Sequence, residues 1–167
     1  MYSLIDFLVI PALIALYLAL KGISKNAMLI AMGLVGIWAI LDVGVTEFNS
    51  LALISLTQSY TAATDAVQKA SYMAAANYAL AAIPIGTFYS YLVGSIGFLI
   101  ASIVMLRGVF RKQVAFLGIV ANALGIISAF VLVAPGLAVI ILPTLIFYGF
   151  WNILVGVQLF QLGLIAK

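Results

Sequence analysis

Between Lys112 and Lys167 the chain carries no charged residue, and between Lys69 and Arg107 it carries none either. Such stretches do not suit a water-soluble fold, in which charged side chains make up roughly 25% of residues. Over all 167 residues only 7% are charged while 67% are hydrophobic, and the mean hydropathy is +1.35. Lipid is the expected solvent. Inside it every backbone N–H and C=O must be paired internally, which points to helices.

A hydrocarbon layer of about 30 Å takes about 20 helical residues to cross, and this length divides the sequence. The first apolar run covers about 3–20 and ends at Lys21-Gly22-Ile23-Ser24-Lys25-Asn26. The second covers about 27–46 and ends at Glu47. Its N-terminal neighbour lacks the basic flank of a secretory signal, so a retained helix is expected there. Residues 49–77 hold Ser55, Thr57, Gln58, Ser59, Thr61, Asp65, Gln68 and Lys69 and are too polar to span. They are also short of Gly and Pro, so they read as short outer helices within about 50–83. Asp65 and Gln68 have capping-box spacing, and Pro84-Ile85-Gly86 is expected to interrupt the Ala-rich helix that follows.

The uncharged stretch that ends at Arg107 is too short for two spans and a turn, which leaves one span at about 87–106. The final stretch holds two, at about 114–133 and 140–162, with Pro135-Gly136 as the turn. The expected fold is an all-α, polytopic transmembrane helix bundle of about five spans with a short outer helical hairpin. It forms a single membrane domain over 1–167. Five spans put Lys21, Lys25, Arg107, Arg111, Lys112 and Lys167 on one side, which basic residues mark as cytoplasmic. Only Lys69 falls on the other. A multi-pass cell-membrane protein with its N-terminus outside and its C-terminus cytoplasmic is expected.

There is no cysteine and no histidine. Disulfides, Cys/His zinc sites, iron–sulfur clusters and histidine acid–base chemistry are thereby excluded. No cofactor is expected. The net charge of +3 comes from residues between apolar runs, where topology puts them, and not from a basic stripe on a soluble face. Nucleic acid is not an expected partner; the lipid bilayer and other membrane helices are.

Small residues recur at seven-residue spacing. Gly149, Gly156 and Gly163 line one face of the fifth span, with Asn152 among them; Gly118 and Gly125 flank Asn122 in the fourth. Ser90, Gly94, Gly97 and Ala101 do something similar in the third. Small residues that let backbones approach, with an amide as interhelical glue, are how membrane helices pack. A glycine-lined pore or groove is the alternative. Among the acids, Ser3 and Asp6 have capping-box spacing, and Glu47 suits the interface. Asp42 lies about 7 Å deeper at 1.5 Å per residue and is a candidate ion or polar site, or a hydrogen-bonded acid beneath the outer helices. Aromatics cluster at Tyr78, Phe88, Tyr89, Tyr91 and at Phe147, Tyr148, Phe150, Trp151, as interfacial belt, core or substrate cage.

Four stretches carry a family likeness. They are Leu53-Ile54-Ser55-Leu56-Thr57-Gln58-Ser59-Tyr60-Thr61-Ala62-Ala63-Thr64, Ser90-Tyr91-Leu92-Val93-Gly94, Ile103-Val104-Met105-Leu106-Arg107 and Ala115-Phe116-Leu117-Gly118-Ile119-Val120-Ala121-Asn122. In order and spacing, residues 51–162 resemble small archaeal and bacterial multi-spanning membrane proteins grouped as domain-of-unknown-function family 4386. That family has no assigned activity, so the resemblance implies a membrane fold and no catalytic residue.

Two functions compete. The first is a non-enzymatic structural or accessory subunit that packs against other membrane proteins or against itself. The second is a small transporter or channel with Asp42 and Asn152 lining a path. An intramembrane enzyme is disfavoured by the missing His and Cys and by the scarcity of paired carboxylates.

Overall fold

The computed structural model describes the backbone of residues 2–165 and the side-chain surroundings of residues 9–164. The expected Ser3–Asp6 cap and Lys167 lie outside the described side chains. Every element is helical, and no strand occurs among the described residues. Helix α1 covers Tyr2–Leu41 and is followed by a π-helical segment, Asp42–Glu47, and by α2, Phe48–Ala62. After a short turn come α3 (Ala66–Met105), α4 (Lys112–Ala129), two 3₁₀ segments (Phe130–Leu132 and Pro135–Ile140) and α5 (Ile141–Ile165). Four helical runs are long and apolar enough to cross a membrane: Val9–Ala62, Ala66–Met105, Lys112–Leu132 and Pro135–Leu164.

Helix α1 is two helical pieces joined at Ser24, whose φ of −153° and ψ of 88° are not helical. Both pieces feed one core. Leu13, Leu16 and Leu20 come from the first and Met28, Ala31 and Val35 from the second, each set at the i, i+3, i+7 spacing of one helix face. They meet Phe98, Ala101, Val104 and Met105 of α3, Val114 and Ala115 of α4, and Trp151 and Val155 of α5.

Helix α3 runs antiparallel to the second piece of α1 and its continuation. Gly108, just beyond its end, lies against Ile23 and Leu20, Gly97 against Val35 and the Ala31 carbonyl, Gly94 against Trp38, and Gly86 against Val45 and Thr46. Small residues on α3 set this close approach. A β-carbon at Gly97 would stand 2.8 Å from Val35 Cγ2 and 3.0 Å from the Ala31 carbonyl oxygen, inside van der Waals contact.

The outer helices do not form a hairpin separate from the spans. Helix α2 continues the second piece of α1 through the π segment, and α3 passes through Pro84 without a break. The expected interruption at Pro84-Ile85-Gly86 is corrected accordingly. Proline removes one helical hydrogen bond, here the one to the Leu80 carbonyl, a loss that membrane helices tolerate. One turn on, Thr87 Oγ1 donates to the Ile83 carbonyl at 2.9 Å. At 1.5 Å per residue the 40 residues of α3 reach about 60 Å, twice the hydrocarbon thickness. The polar end, where α2 has no buried residue, therefore extends past the apolar layer. Asp65 caps α3 there and accepts from the Gln68 backbone N–H at 3.3 Å.

Candidate functional site

Asp42 opens the π segment that joins α1 to α2. Its Oδ1 accepts from Ser90 Oγ of α3 at 3.2 Å, and Ser90 also lies 3.1 Å from the Thr87 carbonyl. A π turn misaligns the ordinary i to i+4 bonds. Two polar side chains one turn on reach back: Asn49 Nδ2 donates to the Val45 carbonyl and Ser50 Oγ to the Thr46 carbonyl, both at 2.7 Å. Gly86 gives Val45 and Thr46 the room to sit against α3. Asp42 is thus a half-buried, hydrogen-bonded acid held between two helices.

The two small-residue faces have opposite surroundings. On α4, Gly118, Asn122 and Gly125 are buried against α3 and α5. Asn122 Nδ2 donates to the Gly118 carbonyl at 2.7 Å. The space a β-carbon would need at Gly118 is taken by Trp151 Nε1 and Ser102 Oγ, and at Gly125 by Ser95 Oγ. Asn122 Oδ1 and Trp151 Nε1 are buried with no hydrogen-bond partner among the described residues.

On α5, by contrast, Gly149, Gly156 and Gly163 have no atom within 4 Å of a β-carbon position, and all three are exposed. Asn152 is exposed beside them, and its Nδ2 donates only to the Tyr148 carbonyl one turn back, at 2.9 Å. Whatever this face packs against is not the rest of the described chain. Nor does the structure bring Asn152 and Asp42 together. Helix α5 approaches α4, the 3₁₀ segment before it and α1, but not the π segment that carries Asp42.

Sequence reasoning did not locate the cavity of about 460 Å³ between α3, α4, α5 and Trp38. Of the aromatic clusters, Phe88, Tyr91 and Tyr148 line it with Trp38 and Phe98, while Tyr78, Tyr89 and Phe150 point outward. Edge-to-face contacts hold the inner wall: Phe98 meets Tyr148 at 5.9 Å and Trp151 at 5.6 Å between ring centroids. Such pairs are favourable beyond their buried area. Thr87 and Ser95, two turns apart on α3, and the single hydroxyls Ser128 of α4 and Thr144 of α5 were the one signal that polar atoms converge there.

Comparison with protein-family profiles, curated proteins and solved structures returns no match. The class rests on the fold itself: this is an all-helical membrane protein.

Proposed function

We propose that the chain is a non-enzymatic subunit in the cell membrane, which pairs through the outward face of α5 with another transmembrane helix, from a partner protein or a second copy. The observation that carries this is Asn152. An exposed amide, flanked by Gly149 and Gly156 on the outward face of α5, faces hydrocarbon with an unspent carbonyl oxygen and one unspent N–H. A facing helix seated on the glycines would satisfy both, with packing and hydrogen bonds worth about 0.6–2 kcal/mol each.

Gly156→Leu tests it. Because nothing of the chain's own lies within 4 Å of that position, the substitution should leave the apparent melting temperature in detergent unchanged. It should nonetheless abolish recovery of the partner chain, or of the dimer, from native membranes. Val157→Leu, about 100° round the helix, should leave both intact. Equal recovery with Gly156→Leu and Val157→Leu would sink the proposal.

We also propose that the two pieces of α1 cross separately, which makes five spans with the N-terminus outside and the C-terminus cytoplasmic. The shared core of both pieces supports this, as does the clustering of Lys21, Lys25, Arg107, Arg111 and Lys112 near Ser24 and the α3–α4 turn. A reporter active only in the cytoplasm should work when inserted after Lys25 or Lys112 and stay silent near Asp65. Activity at Asp65, or silence after Lys25, would refute the five-span arrangement.

A further inference from the structure

The cavity between α3, α4 and α5 carries chemistry that helix pairing does not use. Its volume of about 460 Å³ falls in the range of small-molecule sites, about 300–1,000 Å³. Tyr91 and Leu145 line it and are themselves exposed, so it communicates with the surroundings of the bundle. Among the described residues no Lys, Arg, Asp or Glu lines it. A charged ligand would therefore lose its hydration with no counter-charge to replace it, which leaves neutral, largely apolar occupants.

The hydroxyls on its wall narrow the class further. Ser95 is only 8% exposed, lines the cavity, and has no hydrogen-bond partner among the described residues. Gly125 opposite it supplies the space in which its Oγ sits. One helical turn further along α4, Ser128 Oγ and Thr144 Oγ1 lie 2.9 Å apart. Thr144 has one hydroxyl proton, and it is directed at the Ile140 carbonyl at 2.8 Å. Ser128 must then be the donor in the pair, so its own oxygen keeps only acceptor capacity. The wall presents an unpartnered hydroxyl that can donate or accept, and a second that can only accept.

We propose that this cavity binds a neutral lipid alcohol: an apolar chain or ring system carrying one hydroxyl. The hydroxyl accepts from Ser95 and donates to Ser128, while the apolar part lies along Phe88, Tyr91, Phe98 and Tyr148. A ketone or ether head could take only the first of these bonds, and so could a carboxylate, which would also have to be desolvated. The surrounding bilayer is the source, and the exposed rim at Tyr91 and Leu145 is the entrance.

The probe is palmityl alcohol bearing a mid-chain diazirine, alongside its methyl ether and the corresponding carboxylate. Each is photolysed with the full chain in phosphatidylcholine nanodiscs, and adducts are mapped by mass spectrometry. The alcohol should label residues 84–98 and 125–148, and excess unlabelled palmityl alcohol should compete. The ether and carboxylate should label these residues about tenfold less, the effect of one hydrogen bond. Ser95→Ala should reduce alcohol labelling by about tenfold at an unchanged melting temperature. Ala129→Trp, which fills the cavity from a buried wall position, should abolish it. Even labelling of lipid-facing residues, equal labelling by alcohol and ether, or undiminished labelling of Ser95→Ala would each overturn the proposal. Should Ala129→Trp fail to fold, the Ser95→Ala and ether comparisons decide the matter.

Discussion

Gly118→Leu is expected to lower the apparent melting temperature of the detergent-solubilised protein by roughly 6–12 °C. A β-carbon alone at this position meets the Trp151 indole nitrogen and the Ser102 hydroxyl. Neither can retreat easily. Trp151 is 1% exposed and wedged between Phe98 and Tyr148, and Ser102 is tied to the Phe98 carbonyl at 2.8 Å. Forcing a leucine between α3, α4 and α5 must separate them, an overpacking cost of about 3 kcal/mol. For a chain of this size that corresponds to about 2–4 °C per kcal/mol. The same substitution at Gly149 or Gly163, where nothing lies within 4 Å, should leave the melting temperature where it was. If Gly118→Leu melts with the parent protein, α4 does not sit against Trp151.

Trp151→Ala should be comparably severe, and the contrast with Trp151→Phe is what makes it informative. The indole is the largest fully buried side chain and joins α5 to α3 through its contact with Phe98 at 5.6 Å. Truncating a buried tryptophan costs about 3–5 kcal/mol in water-soluble cores. Lipid is as apolar as this core, so the loss is one of packing alone, which sets the expectation near the lower bound. Phenylalanine keeps most of the ring contact and removes an N–H that has no partner among the described residues. Relief of that unpaired donor, about 1–3 kcal/mol, offsets the lost volume, so Trp151→Phe should melt within a few degrees of the parent. A phenylalanine variant as unstable as the alanine one would mean that the indole N–H makes a bond the fold depends on.

These residues also show how far the chain could be read from its sequence. Charge-free stretches bounded by Lys69, Arg107 and Lys112 were enough to place the protein in a membrane, because the cost of burying charge in hydrocarbon leaves few alternatives. The capping pair Asp65 and Gln68 is a local interaction and was readable as such. Pro84 was not, since the rule that proline ends helices comes from water. In α3 the helix runs from the Ala-rich stretch through Pro84 to Met105 without a break. Seven-residue spacing identified the faces at Gly118–Gly125 and Gly149–Gly163 but not their direction. One is buried and the other faces outward, a difference decided by how α5 lies on α4. The cavity was beyond sequence reasoning for the same reason: Trp38, Ser95, Ser128 and Thr144 come from four elements that only the packed bundle brings together.

Pairing through α5 is most directly tested by site-specific cross-linking in native membranes, which the absence of cysteine from the sequence makes simple. Single cysteines are placed at Gly149→Cys and Gly156→Cys on the proposed interface. Leu154→Cys and Phe150→Cys, also exposed, lie more than about 100° round the helix from Gly156 and serve as comparison positions. Each is coupled to a short benzophenone maleimide and irradiated. The expected result is a discrete protein adduct from Gly149→Cys and Gly156→Cys, of one mass and shared by both, with only lipid adducts from Leu154→Cys and Phe150→Cys. Lipid adducts alone at all four positions, or protein adducts of equal yield at all four, would contradict the proposed pairing.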